Sequence, residues 1–204
     1  MNKLLVIVIS FSFAAFAQNA ETAHHKAKAN SGADPSAQFA KKAAQGNMAE
    51  VAMGKLATEK AQSDDVKKFG QRMVDDHTKA EQDLEGVASK NNMSLPSEPS
   101  AMQKAEQQKL EKLSGAAFDR AYMKMMVKDH VEDVAEFKKE AHDTSLNSDL
   151  RDYATRTYPV LDDHLTNAKA VNDALTSNGK SAATSPKKNS AGKGEPGGPG
   201  LLLI

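Results

Sequence analysis

Residues 63–90 read SDDVKKFGQRMVDDHTKAEQDLEGVASK. Val66, Phe69, Met73, His77, Leu84 and Val87 recur at helical spacing, with Gly70, Ala80 and Glu81 beside them. That period puts them on one face of a helix and turns most of the charged residues towards water. Ser63 ahead of Asp64-Asp65 is an N-cap signal that also places acid at the positive end of the helix dipole. The segment predicts a long amphipathic helix that carries a histidine inside its apolar stripe.

The same period extends on both sides. Asp34-Pro35 reads as the cap and first-turn proline of a first helix running to about Ala61. Asn91 to Pro99 is rich in helix breakers, and Ser100-x-x-Gln103 is a capping box opening a short connecting helix that ends near Ser114-Gly115. A third long helix follows with Phe118, Tyr122, Met126, His130, Val134, Phe137 and Ala141 in its stripe. Ser148 is the cap signal for a fourth, with Leu150, Ala154, Thr157, Leu161, His164, Ala168, Val171 and Leu175. Pro159 removes one backbone hydrogen bond near Thr155 and predicts a kink just before His164. The expectation is an all-α antiparallel four-helix bundle over residues 34–176, with a short extra helix in the middle connection.

The ends differ from the middle. Lys3, the apolar run Leu4 to Phe16 and Ala15-Phe16-Ala17 form the three parts of a secretory signal, predicting cleavage near Ala17. The apolar run is too short to cross a bilayer comfortably, so no stable membrane insertion is expected after cleavage. Residues 18–33 read as a flexible linker that contains His24-His25. Residues 177–204, rich in Ser, Lys, Gly and Pro, read as a disordered tail. The expected location is periplasmic or secreted. The chain has no cysteine, so stability has to come from core burial despite export.

Overall charge is balanced, at 27 basic against 27 acidic residues. Residues 37–176 carry 20 Lys/Arg and 24 Asp/Glu, a net charge of −4 that argues against a nucleic-acid partner. A protein partner cannot be read from the sequence.

Three of the long helices carry the dipeptide Asp-His: Asp76-His77, Asp129-His130 and Asp163-His164. In each, the histidine sits in the apolar stripe. The first helix has no histidine but carries Glu50 on a face made of Ala43, Gly46, Asn47, Met53 and Gly54. At 1.5 Å rise per residue, Glu50, His77, His130 and His164 lie about 18, 22, 22 and 27 Å from their short loops. In an up-down-up-down order those loops share one end, and the four groups meet in one layer.

A buried carboxylate beside neutral imidazoles is costly unless paired. Two arrangements satisfy it. One is a metal held by Glu50 and the histidines, with Asp76, Asp129 and Asp163 as ligands or orienting partners. The other is a hydrogen-bonded Glu-His network without metal. A histidine-rich site suits zinc, copper, iron or nickel rather than calcium or magnesium. Met73 and Met126 read as core filler. Asp119 and Arg120, at the start of the third long helix, read as a first-turn acid and an interhelical ion pair.

From Phe39 to about Val171 the chain resembles the bacterial domain-of-unknown-function family 4142. The resemblance rests on Phe39-Ala40-Lys41-Lys42-Ala43-Ala44-Gln45-Gly46, Ala49-Glu50 and Arg72-Met73-Val74-Asp75-Asp76-His77. It continues in Leu113-Ser114-Gly115-Ala116-Ala117-Phe118-Asp119-Arg120-Ala121-Tyr122, His130, Pro159 and His164. It implies an exported protein with a ferritin-like fold and implies no settled activity. Di-iron bundles place a Glu three residues before each histidine. Val74, Val127 and Leu161 stand there instead, which argues against ferritin-type iron storage.

Two functions follow as expectations. One is an exported bundle that binds a transition metal in its core. The other is a non-catalytic envelope or stress-related binding protein whose polar layer is structural. No G-x-S-x-G, H-E-x-x-H or glycine-rich phosphate loop supports a conventional hydrolase.

Overall fold

The computed structural model describes residues 34–183, with side chains described to Ser177. The expected signal segment, the linker with His24-His25 and the chain beyond Ala183 lie outside the described residues. Those residues form five helices and no strand: α1 (Pro35–Lys60), α2 (Asp64–Lys90), α3 (Ala101–Glu111), α4 (Gly115–Glu140) and α5 (Ser148–Ala183). No described helix is long and apolar enough to cross a membrane.

Local chemistry explains most boundaries. Asp34 accepts a hydrogen bond from the Ser36 amide at 3.0 Å and Pro35 opens α1. Helix α2 ends in a Schellman motif with Asn92 in the left-handed region at φ 53°. There the Met93 amide donates to the Ala88 carbonyl and the Asn92 amide to the Ser89 carbonyl. The predicted capping box of α3 forms in full between Ser100 and Gln103. At α5 the cap is Asn147, one residue before the predicted Ser148. Its side-chain oxygen accepts from the Asp149 amide at 2.8 Å, and Ser148 is already helical.

Helix α5 continues to Ala183, past the 176 boundary read from composition. Extending an existing helix adds one hydrogen bond per residue without a new nucleus, so Ser177 to Ala183 can be helical despite their polarity. Helix α5 also passes through Pro159. Both Pro159 and Thr155, whose carbonyl loses its donor, lie on the exposed side.

Helix α1 packs most extensively on α2, and α4 on α5, with α2 against α5 and α1 against α4. The up-down-up-down order is not the one found. Asp119, at the start of α4, takes the Gln62 amide at 3.0 Å and the Ser63 amide at 2.9 Å. Gln62 accepts from the Ala116 amide at 3.1 Å. Helix α4 therefore starts where α1 turns into α2. At the opposite end, Asp149 of α5 pairs with Lys90 at 2.8 Å and the Asn147 amide donates to Ser36 at 2.9 Å. The segment containing α3 thus crosses from one end to the other, and the two short turns lie at opposite ends.

Arg120 makes no interhelical ion pair among the described residues, and Asp119 lies just past the first turn of α4. Its two oxygens are used by backbone amides, and Arg120 is exposed. A charged acceptor for two amides at a helix start is worth more than a solvated ion pair.

Helices α1 and α2 come close because two glycines face each other. A Cβ on Gly54 would stand 2.6 Å from the Gly70 carbonyl oxygen, and one on Gly70 would stand 2.6 Å from the Ala57 Cβ. The apolar core has two parts. One gathers Met53, Phe69, Met73, Phe118, Tyr122, Met126 and Ala168. The other gathers Phe39, Ala43, Leu84, Phe137, Leu150, Tyr153 and Leu161. On every long helix the switch from one part to the other falls at the polar residues: Asn47 and Glu50, His77, His130 and His164.

Candidate metal centre

His77, His130 and His164 come from α2, α4 and α5 and are 4%, 0% and 1% exposed. Their ring centroids are 5.4 to 5.9 Å apart. One nitrogen from each lies within 4.8 Å of the others. The common depth survives the reversed topology because each histidine lies near the middle of its helix.

The other nitrogen of each ring is held by an acceptor. His77 Nδ1 lies 3.1 Å from Asn47 Oδ1, and the Asn47 amide group is oriented by its donors to Glu81 and Tyr153. His130 Nδ1 lies 2.9 Å from the Met126 carbonyl oxygen. His164 Nε2 lies 2.7 Å from Asp76 Oδ2. An acceptor requires N–H on the ring nitrogen it faces, so the opposite nitrogen carries a lone pair. Those nitrogens, His77 Nε2, His130 Nε2 and His164 Nδ1, are buried and have no hydrogen-bond partner.

Burial keeps all three rings neutral near pH 7. It holds His77 well below its usual value and His130 at about 4. It also lowers His164, against the raising effect of Asp76. Each of the three clustered rings therefore keeps one buried neutral lone pair without a donor among the described residues.

The predicted carboxylates behave differently. Glu50 is buried, and its Oε2 has no hydrogen-bond partner. It lies outside the group of atoms within 4.8 Å of one another. Burial pushes its carboxyl well above the usual range, reinforced by Asp133, Asp129 and Glu106. Tyr122, with its buried hydroxyl also unpartnered, is pushed up by burial and by Glu50. Asp76 orients His164 from across the α2–α5 contact, and not its own neighbour His77. Asp163 acts at one remove: Arg72 donates to it at 2.6 Å and to Asp76 at 3.1 Å. Asp129 touches no ring and pairs with Lys128 at 3.2 Å. A cavity of about 350 Å³ between α1, α3 and α4 reaches His77 and Glu50.

Residues 16–171 match the model of DUF4142, a domain of unknown function. The chain belongs to that family. No curated protein and no solved structure matches it. The match covers every residue of the histidine trio and its supports, so the trio is a feature of the DUF4142 part of the chain.

Sequence reading missed three contributors. Arg72 carried a signal, since it precedes Asp76 by four residues, the spacing of a helical ion pair. Asn47 lies on the Glu50 face of the first helix, but an asparagine there carries no signal of its partner. Asp133 follows Asp129 by one turn, and nothing in the sequence distinguished it from a solvated acid.

Proposed function

We propose that this DUF4142 protein binds a transition-metal ion, zinc, copper, iron or nickel, in the core of a ferritin-like four-helix bundle. His77 Nε2, His130 Nε2 and His164 Nδ1 are the ligands. The carrying observation is that each of the three clustered rings has one buried, unpartnered nitrogen while its opposite nitrogen is fixed by an acceptor. A hydrogen-bonded layer that only set helix register would pair those nitrogens. A metal satisfies all three at once, and outer acceptors on ligating imidazoles are the usual support for one.

Asp76, held by Arg72 and through it by Asp163, raises the basicity of His164 and fixes its ring. Asn47 and the Met126 carbonyl do so for His77 and His130. Three neutral ligands leave the charge of the ion uncompensated and a coordination position free for water or a small ligand. Glu50 supplies negative charge nearby without being one of the three. The leader at residues 1–17 supports an exported protein, and a long crossover containing α3 supports the ferritin-like reading.

The test is thermal unfolding of chelator-treated full chain with each of the four metals. A bound metal at a hundred times its dissociation constant stabilises by about 3 kcal/mol. His77→Ala, His130→Ala or His164→Ala should remove that gain and leave the metal-free protein helical. If no metal moves the wild-type transition and none co-purifies, the layer is structural and this reading fails.

A further inference from the structure

The cavity beside the histidines has a chemistry of its own. Glu50 of α1, Glu106 of α3, and Asp129 and Asp133 of α4 stand on its wall. The wall also carries Lys42 and Lys128. Lys42 is taken by Glu136 at 2.8 Å, and Lys128 by Asp129 and Glu132 at 3.2 and 3.4 Å. Among the described residues, neither Glu50 nor Asp133 has an ion-pair partner of its own. Glu50 is 3% exposed, lines this space and has its Oε2 unpartnered.

We propose that this cavity is a second cation site, distinct from the histidine trio, which takes a hydrated divalent cation of the oxygen-preferring class on Glu50 and Asp133. The space of about 350 Å³ exceeds the roughly 180 Å³ that six waters occupy at liquid density. Ions such as Mn²⁺ and Mg²⁺ keep several waters and bind through one or two carboxylates, so they do not need a tight cage of protein ligands. No histidine nitrogen is needed, and of the three rings only His77 lines this cavity. Glu106 and Asp129 add negative potential around the ion. The burial that drives both Glu50 and Asp133 towards the protonated form, the latter to about 7, is relieved when a dication enters.

The inference goes beyond the histidine centre and does not require it to be loaded. The test is titration of chelator-treated full chain with Mn²⁺ at pH 7.5, following loss of the free-ion electron paramagnetic resonance signal. Wild type should take up one Mn²⁺, and uptake should be unchanged in His130→Ala and after one equivalent of Zn²⁺. Glu50→Gln and Asp133→Asn should each weaken uptake at least tenfold, and Asp133→Asn should keep any zinc-induced thermal shift. Asp133 is less buried than Glu50, so Asp133→Asn carries the test if Glu50→Gln does not fold. No uptake at millimolar Mn²⁺, or equal uptake by the carboxylate variants, overturns the proposal. So does loss of Mn²⁺ in His130→Ala or with zinc, which would put the ion on the histidines. Mn²⁺ uptake without any zinc shift would instead refute the histidine centre and leave this site standing.

Discussion

Replacing Asp133 by Asn should stabilise the metal-free protein at pH 8 and leave its stability almost unchanged at pH 4. Burial, with Asp129, Glu136 and Glu132 nearby, raises the Asp133 carboxyl from 3.8 to about 7. An acid whose folded value is raised is neutral in both states below 3.8. Between 3.8 and 7 the unfolded chain ionises first, so stability falls as pH rises through that window. Three pH units at about 1.4 kcal/mol each set a ceiling of about 4 kcal/mol above pH 7. Asp133 retains some exposure, and solvent screening reduces this to about 2 kcal/mol. For a domain of this size that corresponds to a rise in Tm of roughly 4–8 °C. The assay is thermal unfolding of both proteins with chelator at pH 8, 6 and 4. A gain of equal size at all three pH values, or a loss at pH 8, would show that Asp133 is not held as an unpaired buried acid.

Two further outcomes test the framework that places the site. Gly70→Ala should destabilise by about 1–2 kcal/mol, overpacking against Ala57 and the Gly54 carbonyl outweighing the helix propensity gained. Gly86→Ala, where no atom lies within 4 Å of the new Cβ, should stabilise by about 1 kcal/mol. Urea unfolding decides both, and the same sign for the two would contradict the close α1–α2 approach. Asp119→Ala should cost about 2–3 kcal/mol by orphaning the Gln62 and Ser63 amides. A loss below about 0.5 kcal/mol would mean that this clamp does not hold α4 to the α1–α2 turn.

Much of the fold was legible because its signals are local. Asp34-Pro35, the Ser100–Gln103 capping box and the apolar stripes each act within a few residues, and the helices begin and end close to the predicted positions. The misreadings came where a distant group intervenes. Ser63 gives α2 its boundary without a side-chain cap bond, and its own amide is taken by Asp119 from 56 residues away. Asn147 displaced Ser148 as the cap of α5 while its own amide reached Ser36.

The candidate site divides along the same line. Sequence alone determined that three histidines lie inside apolar stripes near the middle of their helices, and mid-helix placement brings them to one depth in either topology. It could not determine the path of the middle connection, because a short helix between two breakers is compatible with a return or with a crossover. Nor could it assign partners to the Asp-His dipeptides. Neighbours in sequence project about 100° apart around a helix, so Asp76 reaches across to His164 while His77 turns to Asn47. Tertiary packing decided that Glu50 lines a cavity with Glu106, Asp129 and Asp133 as well as His77. The sequence marks which side chains are buried; the azimuth of each helix, set by contacts such as Gly54 against Gly70, decides which of them meet.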